Sequence, residues 1–353
     1  MESKEKKIEW PLVGNPKIPE FLSASLENEK VSGSYIFLGP ENLGKTTLAK
    51  FFSQTLLCED RQKGDLVLPC GNCSSCQQMT GNTGEEGEDN LSALHSDFHL
   101  IRREKEKKNI SIEQIREFIK ILHLSSFLNS YKIGIIKNAE VLSPEAGNAL
   151  LKTLEEPREK VVIILIASQI ENIPETIASR SQVLNFYPVS RENIYDYLVK
   201  VREVKRSQAK NIAHLSLGRP ALAIKFLEDP DFYNDYLEKG GFFLDFFRQD
   251  LNQRIKTVSE IFKISGSNQE GAREALNLIS VWRGVARDFL LLHCGHKDLI
   301  QFEALKEKFE PWENKFRFSS LLKMIAVLQI GEKQIKNNVN PKLVLENTVC
   351  NII

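Results

Sequence analysis

The sequence predicts a parallel α/β domain followed by a second half built only from helices. Three observations carry that expectation. A glycine-rich loop at residues 39–46 lies between an apolar strand pattern and an amphipathic helix pattern. Short buried-strand runs then alternate with helical stretches as far as Phe186, the order that builds a parallel sheet. From Ser190 onward apolar residues recur at helical spacing and no further strand run appears.

The segment Trp10-Pro11-Leu12-Val13-Gly14-Asn15 precedes a helix expected over Ile18 to Asn28. Ser34-Tyr35-Ile36-Phe37-Leu38 reads as a buried strand. Thr46 to Leu57 reads as a helix with Leu48, Phe51, Phe52 and Leu56 on one side. Between them Gly39-Pro40-Glu41-Asn42-Leu43-Gly44-Lys45-Thr46 fits the P-loop pattern G-x4-G-K-[ST] without departure. A strand, a glycine turn and a helix start gather free backbone N–H groups around one small space, and the helix dipole adds positive charge there. Gly39 and Gly44 let the backbone approach phosphate oxygens, and Glu41, Asn42, Leu43 and Thr47 belong to the same row of N–H groups. Lys45 is the candidate point charge on the β and γ groups, and the Thr46 hydroxyl the candidate Mg²⁺ ligand. The loop is therefore a candidate site for ATP or ADP with Mg²⁺. Val13 and Gly14 are candidates to cover the base, and an ordinary apolar staple remains an equal reading of them.

Cys58 follows the P-loop helix, then Cys70-Gly71-Asn72-Cys73-Ser74-Ser75-Cys76, so four of the six cysteines fall within 19 residues. Two overlapping C-x2-C pairs plus a cysteine at a helix end supply the four thiolates of a structural Zn²⁺ site. A redox Cys-x-x-Cys pair explains two cysteines and leaves two over, so zinc is the favoured reading. Four protein ligands leave no open position for chemistry.

Residues 80–90 form a polar, acidic, Gly-rich loop pattern, and Arg102 to Lys108 a solvated turn of mixed sign. Asp97 to Ile101 reads as a strand. Ser111 and Gln114 make a capping box for a helix whose apolar face carries Ile112, Ile115, Ile119 and Leu122. Tyr131 to Ile136 is a buried strand where a nucleotide-hydrolysing fold places its second motif. Such a strand ends in Asp, which holds Mg²⁺ through water, then Glu, which polarises the attacking water. Here it ends Lys137-Asn138. Lysine cannot ligate Mg²⁺, and asparagine is no general base.

Ser143 and Pro144 open a helix that Pro157 stops, Val161 to Ala167 is a central strand, and Val183 to Phe186 is the last one. Helices are expected over 191–201, 207–216 and 219–228. Asp229-Pro230 and Gly240-Gly241 suggest a boundary, and about five amphipathic helices fill 242–353. His293-Cys294-Gly295-His296 fits no usual zinc spacing and reads as a helix end.

The chain has 47 basic and 47 acidic residues, so it presents no globally basic surface for nucleic acid. At 42% hydrophobic and 27% charged its composition is that of an ordinary soluble protein. The start is charged with no apolar stretch behind it, and Val161 to Ala167 is too short to span a bilayer. No membrane association and a cytoplasmic location are expected, where clustered cysteines point to a metal.

The P-loop, the C-x2-C-x2-C module, Asn148-Ala149-Leu150-Leu151-Lys152-Thr153-Leu154-Glu155-Glu156-Pro157 and Ser179-Arg180-Ser181 together resemble the bacterial clamp-loader ATPases of the AAA+ class. Within that family they are most similar to the delta-prime type of DNA polymerase III subunit. The resemblance is specific over Trp10 to Phe186 and rests on helical content alone after Phe242. It implies a RecA-like AAA+ domain over 1–188 with a zinc module inserted at about 58–80. A helical lid over 189–235 and an all-α collar over 240–353 would follow. The collar would hold a hetero-pentamer with gamma/tau and delta subunits, which loads the sliding clamp of the replicative polymerase on primed DNA. Arg180 matches the arginine that reaches into a neighbour's ATP site, and Ser181 replaces the family's cysteine. Ser168 lies where a sensor residue reads the γ-phosphate, and Arg219 is the candidate lid arginine. The loss of both carboxylates at Lys137-Asn138 implies a stator with weak or absent ATPase activity of its own. The alternatives are a gamma/tau-like motor and, further off, a zinc-dependent nucleic-acid-binding protein with a vestigial P-loop.

Overall fold

The computed structural model describes residues 8–62, 67–80, 95–104, 107–126, 131–261, 269–312 and 315–352. The acidic loop expected over 80–90 lies outside these residues except for Thr80. The chain divides into two compact units, Met1–Val189 and Ser190–Ile353.

In the first unit a five-stranded sheet is built from β1 (Ser34–Leu38), β2 (Phe98–Ile101), β3 (Lys132–Lys137), β4 (Val161–Ala167) and β5 (Gln182–Asn185). Every pairing is parallel and the spatial order is β2-β3-β4-β1-β5. The first strand in sequence thus lies inside the sheet, with its C-terminal end between those of β4 and β5. In such a sheet ligands bind off the carboxyl ends of the strands. All seven residues of β4 are buried, as expected of a strand covered on both faces.

The helices supply those covers. They are α1 (Lys17–Glu27), α2 (Lys45–Leu57), α3 (Ser74–Thr80), α4 (Ile112–Leu122), α5 (Pro144–Glu155) and α6 (Glu175–Ala178). On one face α1 and α2 bring Ile18, Leu22, Leu48, Phe52 and Leu56 against Tyr35, Phe37, Ile133 and Ile164. On the other, α4 and α5 bring Ile115, Phe118, Leu150 and Leu154 against Ile36, Ile136, Ile163 and Leu165. The helix starts obey their sequence signals. Ser111 and Gln114 close a reciprocal capping box on α4, and the Ser143 side chain accepts from the Ala146 N–H at the start of α5.

Gly134 in β3 marks where α4 presses on the sheet. A Cβ there would stand 2.2 Å from Phe118 Cζ. Gly134→Ala is therefore expected to destabilise the first unit by about 1–3 kcal/mol, the usual cost of overpacking a filled core. The check is a urea melt, and an unchanged midpoint would show that Phe118 moves aside freely.

Every regular element among the described residues of the second unit is a helix. Its helices are α7 (Arg191–Lys200), α8 (Arg206–Leu215), α9 (Pro220–Glu228), α10 (Pro230–Asp245), α11 (Leu251–Ile261), α12 (Gln269–His293), α13 (Lys306–Phe309), α14 (Phe318–Lys336) and α15 (Pro341–Asn351). The pair Gly240-Gly241, read from sequence as a boundary, lies inside α10. The reason is packing: a Cβ on Gly240 would come within 2.9 Å of the Phe302 ring, so glycine serves close approach here rather than a chain break. His293 ends α12, and the turn closes through Gly295 at φ 81° with the His296 N–H on the Leu291 carbonyl. The helix α14 buries Leu321, Met324, Leu328 and Ile335 while Phe318, Leu322 and Ile330 stay about half exposed. No helix among the described residues is long and apolar enough to cross a membrane.

Candidate nucleotide site and cysteine cluster

The loop at 39–46 leaves the C-terminal end of β1. Three of its residues have positive φ: Gly39 at 144°, Asn42 at 64° and Gly44 at 89°. Gly39 has no room for a side chain, since a Cβ would meet the Phe186 carbonyl oxygen at 2.3 Å. Its N–H donates to the Ala167 carbonyl, which ties the loop to the end of β4. Gly44 precedes α2, and no side chain caps that helix. Uncapped N–H groups at a helix start are where an anion binds.

Lys45 is buried, and its Nζ donates to the carbonyl oxygens of Gly39 and, at 2.6 Å, of Pro40. The ammonium is folded into the loop itself. Burial pulls its pKa below the ordinary lysine range, while the charges of Glu41 and Glu140 act the other way. Thr46 is half-buried and Thr47 exposed on the first turn of α2.

Leu12 approaches the loop, its Cδ1 lying 3.4 Å from where a Cβ on Gly44 would stand. Val13 and Gly14 follow it. A Cβ on Gly14 would come within 2.8 Å of Val189, and the Asn15 side-chain amide grips both peptide groups of Tyr187. Its Nδ2 donates to the Tyr187 carbonyl at 3.0 Å, and its Oδ1 accepts from the Tyr187 N–H at 2.9 Å. The segment over the loop is thus knitted to the exit of β5. Sequence reasoning left Asn15 without a role, because its partner is 172 residues away.

At the end of β3 the register sets Lys137 level with Ile166 of β4, and Ala167 level with Leu38 of β1. Asn138 turns the chain out of the strand at φ 57°. Glu140, two residues on, sends its carboxylate to the neighbouring strand, where its Oε1 accepts from the Ser168 N–H at 3.3 Å. Its Oε2 is buried with no hydrogen-bond partner among the described residues. Reading the motif at its standard positions missed Glu140, which lies beyond the two residues the motif inspects. The hint was an acid one short turn after a strand end.

Arg180 follows α6 and is exposed. Its Nη1 donates to the Thr176 carbonyl at 2.9 Å and to Ser179 Oγ at 3.2 Å, and its Nη2 pairs with Glu155 Oε1 at 2.8 Å. Ser181 faces inward, its Oγ 2.7 Å from that of Ser34. Arg219 belongs to the second unit, where it precedes α9 and its Nε donates to the Ser216 carbonyl.

The four cysteines of the predicted module meet. The Sγ atoms of Cys58, Cys70, Cys73 and Cys76 lie within 4.8 Å of one another, and none is in a disulfide. Three backbone N–H groups point at sulfur: Cys70 to Cys58, Cys73 to Cys70 and Cys76 to Cys73, at 3.4–3.5 Å. The hydrogen bond from Cys76 holds the Cys58 thiol down at about 5, and the same bond with burial pushes Cys76 up. Glu59 fixes the start of α3 by accepting from the Ser75 N–H and hydroxyl. Among the described residues the local core is Cys58, Leu68 and Cys76, with Ile8, Cys70 and Cys73 at its margin. Four sulfurs converging on one point, with amides aimed at them, fit a four-cysteine zinc site.

A P-loop on an inner strand of a parallel five-stranded sheet, flanked by helices on both faces, defines a nucleotide-binding α/β protein of the P-loop class. The family model described as DNA polymerase III, delta subunit, matches residues 14–190, and the chain belongs to that family of clamp-loader AAA+ proteins. It is 25% identical to the delta' subunit of DNA polymerase III from Bacillus subtilis, covering 95% of this chain and 94% of that one. It is 26% identical to the tau subunit of the same organism over 97% of this chain, and spans 60% of that protein's length. Over 53% of this chain it is 30% identical to the delta' subunit of Haemophilus influenzae, covering 52% of that one.

Proposed function

We propose that this chain is a delta-prime-like clamp-loader subunit of the replicative DNA polymerase III. In this reading it binds ATP or ADP, hydrolyses it slowly or not at all, and donates Arg180 to the ATP site of a neighbouring subunit. The observation that carries it is the pairing of a complete phosphate cradle with a strand end that offers Lys137 and Asn138. Binding needs the cradle, and hydrolysis needs a base that this strand end lacks. Val13 and Gly14 would flank the base, and Glu41, Asn42, Leu43, Gly44, Thr46 and Thr47 would line the phosphates. Ser168 and Arg219 would read the γ-phosphate. When bound, Mg²⁺ would neutralise phosphate charge.

The reading gives the cysteine cluster a structural zinc. The lid would span 189–235 and the collar 240–353, with α10 crossing from one to the other. Phe318, Leu322 and Ile330 on α14 are about half exposed, which leaves apolar surface for a collar that packs against further subunits. Gamma/tau and delta are the proposed partners in a hetero-pentamer that loads the sliding clamp on primed DNA.

The test is nucleotide binding set against turnover. Purified chain is expected to bind a fluorescent ATP analogue and to show no hydrolysis above background, with or without primed DNA. Robust turnover that primed DNA raises would replace the stator with a gamma/tau-like motor. A steep salt dependence of DNA binding by the chain alone would favour a nucleic-acid-binding protein instead.

A further inference from the structure

We infer that Glu140 supplies the Mg²⁺-holding carboxylate that the end of β3 lacks, so that nucleotide binding depends on the metal although hydrolysis is not restored. This rests on the reading of residues 39–46 as a nucleotide site.

Four observations meet at this side chain. The register aligns Leu38 with Ala167, so Gly39 and Ser168 both stand one residue past paired strand ends. Glu140 Oε1 accepts from the Ser168 N–H, which anchors the carboxylate at the strand ends that carry the P-loop. Its charge reaches Lys45, where burial lowers the ammonium's pKa and the charges of Glu41 and Glu140 oppose that. Glu140 Oε2 is buried and accepts no hydrogen bond from the described residues. A buried carboxylate oxygen without a partner is costly, on the order of 1–3 kcal/mol or more for a charged group. A hydrated divalent cation offsets that cost, because a hard cation takes oxygen ligands and keeps most of its waters. Lys45 does not hydrogen-bond this oxygen: two of its three donors go to the carbonyls of Gly39 and Pro40, and Oε2 has no partner among the described residues.

The motif's first carboxylate holds Mg²⁺ and its second polarises the attacking water. Glu140 restores the first function only: one oxygen is occupied by Ser168, and the free oxygen is the one given to the metal. The base stays missing. A subunit so built would hold Mg-nucleotide without consuming it.

The competing role is a plain tether between β3 and β4. Glu140→Gln separates the two, because glutamine keeps an oxygen for the Ser168 N–H and loses only the charge. Affinity for a fluorescent ATP analogue is measured on the full chain in Mg²⁺ and in EDTA, with thermal unfolding of each protein as the fold control. Wild type is expected to bind about 10–100-fold more tightly in Mg²⁺, the effect usual for groups that hold a metal's outer shell. Glu140→Gln is expected to lose that enhancement and keep the EDTA affinity, and Glu140→Asp to keep part of it. A folded Glu140→Gln that retains the full Mg²⁺ enhancement overturns the inference, as does one that loses affinity equally in both buffers. Should Glu140→Gln not fold, Glu140→Asp decides: no change in the enhancement contradicts the role. Wild type that binds nucleotide equally in both buffers sinks the Glu140 role alone. Wild type that binds no nucleotide in either sinks the nucleotide reading itself.

Discussion

Arg180→Ala is expected to leave this chain folded and able to assemble, while clamp loading by a complex with otherwise wild-type subunits falls severely. The side chain is exposed, and its contacts are to Thr176, Ser179 and Glu155 on the surface. Exposed ion pairs of this kind contribute about 0–1 kcal/mol, so neither folding nor release of the guanidinium toward a neighbour is costly. An arginine that stabilises the phosphoryl transition state is worth about 10³–10⁵ in rate at its own site. Bulk hydrolysis by a ring of several sites should fall only in part, because one site loses its finger. Arg180→Lys should rescue poorly, since an ammonium lacks the planar fork that binds phosphate through two bonds. Clamp loading at the wild-type rate by Arg180→Ala complexes would reduce Arg180 to its surface contacts with Thr176, Ser179 and Glu155.

Removing the metal should have the second large effect. Elemental analysis is expected to give one zinc per chain, and Cys73→Ser to lower it. Among the described residues the module's own core is Cys58, Leu68 and Cys76 with a thin margin, so the module should lose amide protection on chelation or substitution. Structural zinc is worth about 10–16 kcal/mol in finger-type peptides, and such small modules unfold without it. The sheet should survive, because among the described residues its two apolar faces take Met79 alone from that module. Absence of zinc, or full retention after Cys73→Ser, would end the four-cysteine zinc reading.

Much of the first unit was legible because its signals are local. The P-loop, the Ser111 capping box, the Ser143-Pro144 helix start and the apolar run of β4 each declare themselves within a few residues. The cysteines were legible because four of them in a short span have few other uses. What sequence could not give depends on contacts between distant segments. The grip of Asn15 on Tyr187 and the bond from Ser168 to Glu140 exist only once the sheet order is set. Gly240-Gly241 shows the same limit: glycine marks a turn or a tight contact alike, and the pair lies inside a helix with its backbone close to Phe302.

The proposed role is a place in an assembly, so the most direct measurement is native mass spectrometry of the tagged chain with the subunits that co-purify from its own cells. The account predicts a five-subunit complex holding one copy of this chain together with gamma/tau and delta subunits. A chain recovered alone, or only as a homo-oligomer, under conditions that keep the other subunits assembled would contradict it.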